Sequence, residues 1–337
     1  MPLFGPAAGS FSSLTPKDAG GFARGRALMA ERGWEGVELL PRGGEGRKIP
    51  KSERVAALME HAAEMEYFIT DTTPITRPFL EKARNLKLIS MFGVGMDHID
   101  LAAATENGIV VTRAANTNSR SVAEFGMGLL FALAKRIPLA QETLHQGVWR
   151  ARRGEELYGK TLGVVGLGAI GSIVARLGKG IGMNVLASVR TPKPELAAEI
   201  GCEVLPLDEL LALSDYVCLC LPGGEVILGE REFSLMKPGA SLVNIARGSV
   251  VDEKAMIRAL QDGRLGGAAL DVFAAEPLPP ESPLMAMPGV VATPHMASNS
   301  FEATDAVFLV CLEEVARRAA GERSERAVNP DAYTAGR

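Results

Sequence analysis

The sequence predicts an α/β protein built from two doubly wound, parallel-sheet domains. Three observations carry that expectation. The chain has 337 residues, about twice the length of a typical single domain. From Val37 onward, short apolar runs alternate with amphipathic helical segments, the pattern of parallel strands joined by right-handed helical crossovers. The alternation is then interrupted by one long helical stretch before a second series opens at Thr161. With 47% hydrophobic and 23% charged residues, the chain has material for two cores.

In the first series, residues 1–30 are rich in Gly, Ala, Ser and Pro and yield no assignable element. A strand is expected at 37–40, then a Gly-rich loop and a helix over 52–65. Next come a strand at 67–70, a helix near 77–82 and a strand at 86–90. A long helix follows, opened by Asn118 or Ser119 as N-cap and running to about residue 134. The second series has six expected strands, at 162–165, 184–188, 217–221, 241–244, 268–272 and 290–292. Helices fall between them at 170–180, 194–200, 207–212 and 253–262. Six strands with helical crossovers is the count of a full dinucleotide-binding sheet. The last helix, 301–320, has nowhere to pack on a completed sheet and is expected to return to the first domain.

Charge and cysteine usage exclude several classes of partner. The formal charge is −4, from 36 basic and 40 acidic residues. No basic run stands out, so neither nucleic acid nor an anionic membrane is expected as partner. The longest nearly apolar stretch, 125–134, is far short of the roughly 20 residues that span a bilayer. The N-terminus lacks the basic and apolar regions of a secretory signal, so a cytoplasmic protein is expected. Four cysteines are too few for a disulfide scaffold. Cys218 and Cys220 would share one face of a strand, but no second pair lies near to complete a four-ligand metal site. No metal is expected, and the pair reads as small buried hydrophobes.

The first chemical motif is Gly166-Leu167-Gly168-Ala169-Ile170-Gly171. It lies between the apolar run Thr161-Leu162-Gly163-Val164-Val165 and a helical segment, the context that gives a G-x-G-x-x-G its meaning. Gly166 permits the tight turn, Gly168 lets backbone approach a diphosphate, and Gly171 lets helix and strand pack closely. The amides of Ala169, Ile170 and Gly171 open the helix and face the anion. An NAD site places an acid at the end of the next strand, about 20 residues on, for the ribose hydroxyls. Here that position holds Val189, followed by Arg190 and, nearby, Lys193. A guanidinium binds a 2′-phosphate that a carboxylate would repel, so NADP(H) is favoured over NAD(H). The plainer alternative makes Arg190 and Lys193 solvated loop cations.

Three further polar residues follow apolar strands. Arg247 sits in Asn244-Ile245-Ala246-Arg247-Gly248, and Asp271 and Glu276 in Asp271-Val272-Phe273-Ala274-Ala275-Glu276-Pro277. His295 ends Ala292-Thr293-Pro294-His295. Ligands bind at the carboxyl ends of parallel strands, so Arg247, Glu276 and His295 can converge on one crevice. Each alone has a structural reading; their joint placement favours a catalytic trio.

These segments resemble the D-isomer-specific 2-hydroxyacid dehydrogenase family, which includes glyoxylate/hydroxypyruvate reductases and phosphoglycerate dehydrogenases. The similarity runs from about residue 55 to 300. It is most specific at Gly159-Lys160-Thr161-Leu162-Gly163, Ala246-Arg247-Gly248-Ser249-Val250-Val251-Asp252-Glu253, Asp271 to Leu278, and Thr293-Pro294-His295. The resemblance implies two Rossmann-like domains with the active site in an interdomain cleft. The substrate-binding domain would comprise 1–112 plus 297–337 and the dinucleotide-binding domain 113–296, with a homodimer joined through the latter. It further implies that Arg247 binds the substrate carboxylate and His295 exchanges the proton, with Glu276 paired to the imidazole. Asp271 would meet the nicotinamide carboxamide, Pro222 would border the cofactor, and the Val94 and Gly95 amides would hold the carboxylate.

Some positions depart from the family pattern. Cys220 stands where many relatives have His, and Gly223-Gly224-Glu225-Val226 replaces a Thr-containing loop, both beside the cofactor. Asp71 lies about where phosphoglycerate-specific relatives present a base, and Met91 and Phe92 give the substrate loop an apolar approach. Arg77 is the cation read as near. A chain ending at residue 337 is not expected to carry the regulatory domain that some phosphoglycerate dehydrogenases append. The expectation is therefore an NADP(H)-preferring reductase of glyoxylate or hydroxypyruvate. D-3-phosphoglycerate dehydrogenase is the alternative within enzymes, and a dinucleotide-sensing corepressor-like scaffold the alternative outside them.

Overall fold

A computed structural model describes residues 2–5, 23–38, 51–70 and 72–335. The chain divides into two compact units, one of Met1–Asn118 with Ser300–Arg337 and one of Ser119–Asn299.

In the first unit the order is β1 (Pro2–Gly5), α1 (Ala23–Glu31), β2 (Glu35–Glu38), α2 (Lys51–His61), β3 (Tyr67–Thr70), α3 (Arg77–Lys82), β4 (Leu88–Met91), α4 (Leu101–Glu106) and β5 (Val110–Arg113). β1 and α1 fall in the stretch where composition alone assigns no element, and β2 begins two residues ahead of its expected start. Asp71 and residues 39–50, with the expected Gly-rich loop, lie outside the described residues. The parallel sheet runs β2-β1-β3-β4-β5, the flavodoxin-like order. Strand alternation splits its side chains between two cores. Phe68, Ile89, Met91 and Val111 face one way, with Leu58, Phe79 and Ala103 of the helices. Tyr67, Ile69, Leu88 and Val110 face the other, against Val307, Cys311, Leu312 and Val315 of the final helix Phe301–Ala319. The final helix therefore packs on this first sheet.

In the second unit the chain continues through α5 (Ser119–Ala134), α6 (Ile137–His145), β6 (Thr161–Val165), α7 (Ala169–Gly180), β7 (Asn184–Ser188), α8 (Pro194–Ile200), β8 (Glu203–Val204), α9 (Leu207–Leu213), β9 (Tyr216–Leu219), α10 (Glu230–Leu235), β10 (Ala240–Asn244), α11 (Glu253–Gln261), β11 (Leu265–Leu270) and β12 (Val290–Ala292). The sheet has seven parallel strands in the order β12-β11-β10-β9-β6-β7-β8, not the six expected. The addition is β8, whose two residues are both exposed; so short an edge has no apolar run to announce it. Counted from β6 the order is 3-2-1-4-5-6-7, a dinucleotide-binding sheet with one extra edge strand. Both faces are buried, as parallel sheets require. Leu162, Val164 and Val185 pack towards Val174 and Met127, while Val165, Val217 and Leu242 pack towards Leu210, Phe233 and Met256. The strand order reverses between β6 and β9, so the loop leaving β6 lies at the switch point where such sheets bind ligands.

Candidate active site

The loop between β6 and α7 has the geometry of a phosphate cradle. Gly166 has φ +97°, and a Cβ there would sit 2.6 Å from the Cys220 carbonyl oxygen. Its N–H donates to Ser188 O at 2.8 Å, tying the turn to β7. A Cβ on Gly171 would lie 1.8 Å from Gly166 O, so only glycine lets α7 start this close to the strand. Around Gly168, by contrast, a Cβ would meet nothing within 4 Å. The loop is thus closed behind and open in front, where the first-turn amides at Ala169, Ile170 and Gly171 lack intrahelical acceptors. That fits a dinucleotide diphosphate. Pro222 is exposed two residues beyond the Cys220 carbonyl that packs on Gly166.

Beyond β7, Val189 is half-buried. Arg190 is exposed, and its side chain has no hydrogen bond or ion pair among the described residues. Lys193 differs from a solvated loop cation: its Nζ donates to Leu167 O at 3.0 Å, on the glycine loop itself. The Cys218 and Cys220 thiols touch at 3.6 Å. Their mutual contact and burial push the Cys220 thiol well up from its ordinary value.

The three polar segments meet at the carboxyl ends of β10, β11 and β12. His295 Nδ1 and Glu276 Oε2 are 2.7 Å apart, and the second Glu276 oxygen accepts from the Phe273 amide at 3.1 Å. Burial alone would raise the Glu276 carboxyl. The hydrogen bond and charge of His295, the Phe273 amide and the charge of Arg247 outweigh it and hold the carboxyl below its ordinary value. Arg247 starts a short helical turn, Gly248–Val250, packed so tightly on the next loop that a Cβ on Gly248 would sit 1.9 Å from Phe273 O. Arg247 Nη1 donates to Ala246 O at 2.7 Å. On its other side, a Cβ on Gly223 would come within 3.0 Å of Arg247 Cγ, whereas one on Gly224 would meet nothing within 4 Å, so of the two glycines that depart from the family pattern it is Gly223 that makes room for this arginine.

His295 is a non-glycine residue at φ +52°, a conformation that must be imposed by its surroundings. Asp271, 1% exposed, imposes it. One carboxylate oxygen accepts from Thr293 Oγ1 at 2.7 Å and the Met296 amide at 2.9 Å, and the other from the Ala297 amide at 2.9 Å. Three of roughly four acceptor positions are thereby occupied, leaving one for a cofactor contact. Holding the histidine loop is a task that the sequence did not reveal for Asp271.

In the first unit, Gly93 at φ +141° turns the chain out of β4. The Val94, Gly95 and Met96 amides that follow have no acceptor among the described residues, an arrangement suited to an anion. Arg77 is bound to Glu106 at 2.5 Å, with Asp100 at 3.9 Å. A cation near this loop is instead Arg113, in register with Met91. It is half-buried, and its side chain has no partner among the described residues. His61 and His145 close helices α2 and α6. His98 lies on the loop before α4, its carbonyl accepting from the Ile75 amide at 2.9 Å.

Residues 127–297 match the family model of the D-isomer specific 2-hydroxyacid dehydrogenase NAD binding domain. The chain belongs to that family. A D-3-phosphoglycerate dehydrogenase of Methanocaldococcus jannaschii is 42% identical over 263 residues, covering 76% of this chain and 50% of the relative. A glyoxylate reductase of Korarchaeum cryptofilum is 36% identical over 294 residues, covering 84% of this chain and 88% of the relative. Among solved structures, the TT0316 protein of Thermus thermophilus superposes with a TM-score of 0.83 at 32% identity, covering 97% of this chain and all of the other. The chain spans about half the length of the phosphoglycerate dehydrogenases it matches. This D-2-hydroxyacid dehydrogenase relative carries the family's nicotinamide-binding unit on its second sheet, and no helix among its described residues is long and apolar enough to cross a membrane.

Proposed function

We propose that the protein is an NADPH-preferring reductase of small, unphosphorylated 2-oxo acids such as glyoxylate or hydroxypyruvate. The observation that carries this reading is the Glu276–His295 pair at 2.7 Å beside Arg247, on the sheet whose first loop is a diphosphate cradle. When bound, the nicotinamide supplies the hydride. Arg247 presents a planar fork that binds a carboxylate and polarises the adjacent carbonyl. The His295 Nδ1 is held by Glu276, which leaves Nε2 to give the carbonyl oxygen its proton in reduction and take it back in oxidation. In the first unit, the Val94 and Gly95 amides, without an acceptor among the described residues, are donors suited to an anion. Asp271 keeps one acceptor position for the carboxamide, and Pro222 flanks the cofactor.

NADPH preference is supported by Val189, which stands where NAD sites carry an acid, and by Arg190 beside it, whose guanidinium is uncommitted among the described residues. A homodimer through the second unit is supported by its exposed apolar side chains, with Trp149 93%, Tyr158 79% and Leu144 53% exposed; light scattering measures it. The cytoplasmic setting rests on four cysteines without disulfides.

A second reading, D-3-phosphoglycerate dehydrogenase, is favoured by one observation: relatives of that name are 42% and 38% identical over 76% and 84% of this chain. Against it, Arg77 is committed to Glu106, and Met91 and Phe92 make the approach apolar. The deciding experiment compares kcat/KM for glyoxylate, hydroxypyruvate and 3-phosphohydroxypyruvate, each with NADPH and NADH. Better use of the first two is expected. A preference for the phosphorylated acid would establish the second reading instead. His295→Ala should abolish turnover while cofactor still binds, and turnover near normal would sink the proton-transfer assignment.

A further inference from the structure

The end of β10 carries a buried side-chain amide that the motif analysis passed over. Asn244 is 1% exposed. Its Oδ1 accepts from the Ala246 amide at 3.0 Å, and its Nδ2 donates to the Arg247 carbonyl at 3.0 Å. Its backbone carbonyl accepts from the Asp271 amide at 3.0 Å. This amide orientation is the one that pairs donor with acceptor at both contacts; flipped, each would face its own kind.

The consequence reaches the guanidinium in two steps. Asn244 fixes the peptide groups on either side of Ala246 and Arg247. The Ala246 carbonyl in turn receives Arg247 Nη1 at 2.7 Å, while Gly223 abuts the stem. The direction of the arginine is therefore set by a turn that Asn244 folds. Aspartate, of nearly the same shape, has no donor for the Arg247 carbonyl, and serine is too short to span both contacts.

We propose that Asn244 is a positioning residue for substrate binding, acting through Arg247. The inference rests on the reading of Arg247 as carboxylate anchor. The test measures KM and kcat for glyoxylate, NADPH Kd by fluorescence, and unfolding temperature, in Asn244→Ala, Asn244→Asp, Arg247→Ala and the double variant Asn244→Ala/Arg247→Ala. In Asn244→Ala the KM should rise about tenfold or more, with NADPH Kd within about twofold of wild type. Asn244→Asp should fare no better, because the missing donor and not the missing volume is at fault. In the Arg247→Ala background, removing Asn244 should cost less than about twofold further in kcat/KM, since its route to substrate is already gone. If Asn244→Ala does not fold, Asn244→Ser, which can still accept from the Ala246 amide, takes its place in both backgrounds. An unchanged KM, or losses that multiply in the double variant, would overturn the inference. If Arg247→Ala itself left KM unchanged, the anchor reading would fail first, and visibly so.

Discussion

Gly168 and Gly171 stand three residues apart in one loop, yet alanine at each should fail for a different reason. At Gly171 the added Cβ would lie 1.8 Å from Gly166 O, whereas ordinary contact begins at about 3.4 Å. Either the start of α7 or the Gly166 peptide must therefore move by roughly 1.6 Å. The Gly166 peptide is anchored by the 2.8 Å bond to Ser188 O, so the shift also strains that bond. Overpacking against backbone costs about 1–3 kcal/mol of stability or more. A displaced loop also loses one or two charge-assisted contacts to a diphosphate, each about 1.5–3 kcal/mol, or roughly 10- to 150-fold in Kd.

At Gly168 the backbone has φ −81°, which any residue adopts, and the Cβ would find nothing within 4 Å. Gly168→Ala should leave stability within about 0.5 kcal/mol yet still weaken NADPH about tenfold or more, because its methyl fills the space the diphosphate needs. The assay pairs denaturant unfolding with NADPH fluorescence titration of both variants. Gly168→Ala binding NADPH as wild type does would show that the dinucleotide does not pass over this loop. Gly171→Ala with normal stability would show that the loop yields more easily than its packing implies.

Three other outcomes follow from the same geometry. Arg190→Ala should weaken NADPH about 10-fold or more, one charge-assisted contact, with NADH nearly untouched; equal losses in paired titrations would make Arg190 structural. Glu276→Gln keeps a partner for His295 Nδ1 but removes its charge, so reduction should suffer most at neutral and alkaline pH. The deficit should shrink towards acid, where the wild-type Glu276 itself protonates below its ordinary range; a pH-independent deficit in kcat would refute the charge argument. Asp215 accepts from the Thr161 amide at 2.8 Å and from Lys237 at 3.0 Å; burial would raise its carboxyl, but these partners hold it below its ordinary value. Because the folded carboxyl is depressed, its stabilisation is present above the unfolded carboxylate range and lost as pH falls through the folded value. Asp215→Asn should thus lose about 1–2 kcal/mol at pH 7, with the deficit shrinking as pH falls below the ordinary carboxylate range in urea unfolding.

The cradle was legible because its information is local: a strand, three spaced glycines and the first turn of a helix occupy the consecutive positions 161–171. The three residues were legible because each lies within a few residues of the end of an apolar strand, and parallel topology brings strand ends together. Other features depended on partners far along the chain. Asp271 reads as a cofactor ligand until its bonds to Thr293, Met296 and Ala297 are seen. Lys193 and Arg190 look alike in sequence, but one is tied to Leu167 O and the other is uncommitted. Arg113 became a neighbour of Met91 only through strand pairing, which displaced Arg77 as the cation beside the loop after β4. β1 was hidden by its length and its Gly- and Pro-rich flanks.

The same long-range contacts explain why the histidine can stay in an unfavourable backbone conformation. A non-glycine residue at positive φ costs on the order of 1–3 kcal/mol. Asp271 accepts three hydrogen bonds, from Thr293 Oγ1 and the Met296 and Ala297 amides, each contributing about 0.5–1.5 kcal/mol net, and Glu276 adds a fourth contact at the ring. Even discounting the half-exposed His295–Glu276 pair for solvent screening, the three buried bonds are of the size needed to offset the strain. Asp271 and Asn244 end adjacent strands and are joined through their own backbone bond. One folds the loop that carries the acid, the other the turn that carries the anion anchor. Reach and direction of the two functional groups, exposed His295 and half-buried Arg247, are therefore fixed from beneath by buried polar groups that never need to touch the substrate. A loss of either should disturb the site more than the loss of a surface contact would.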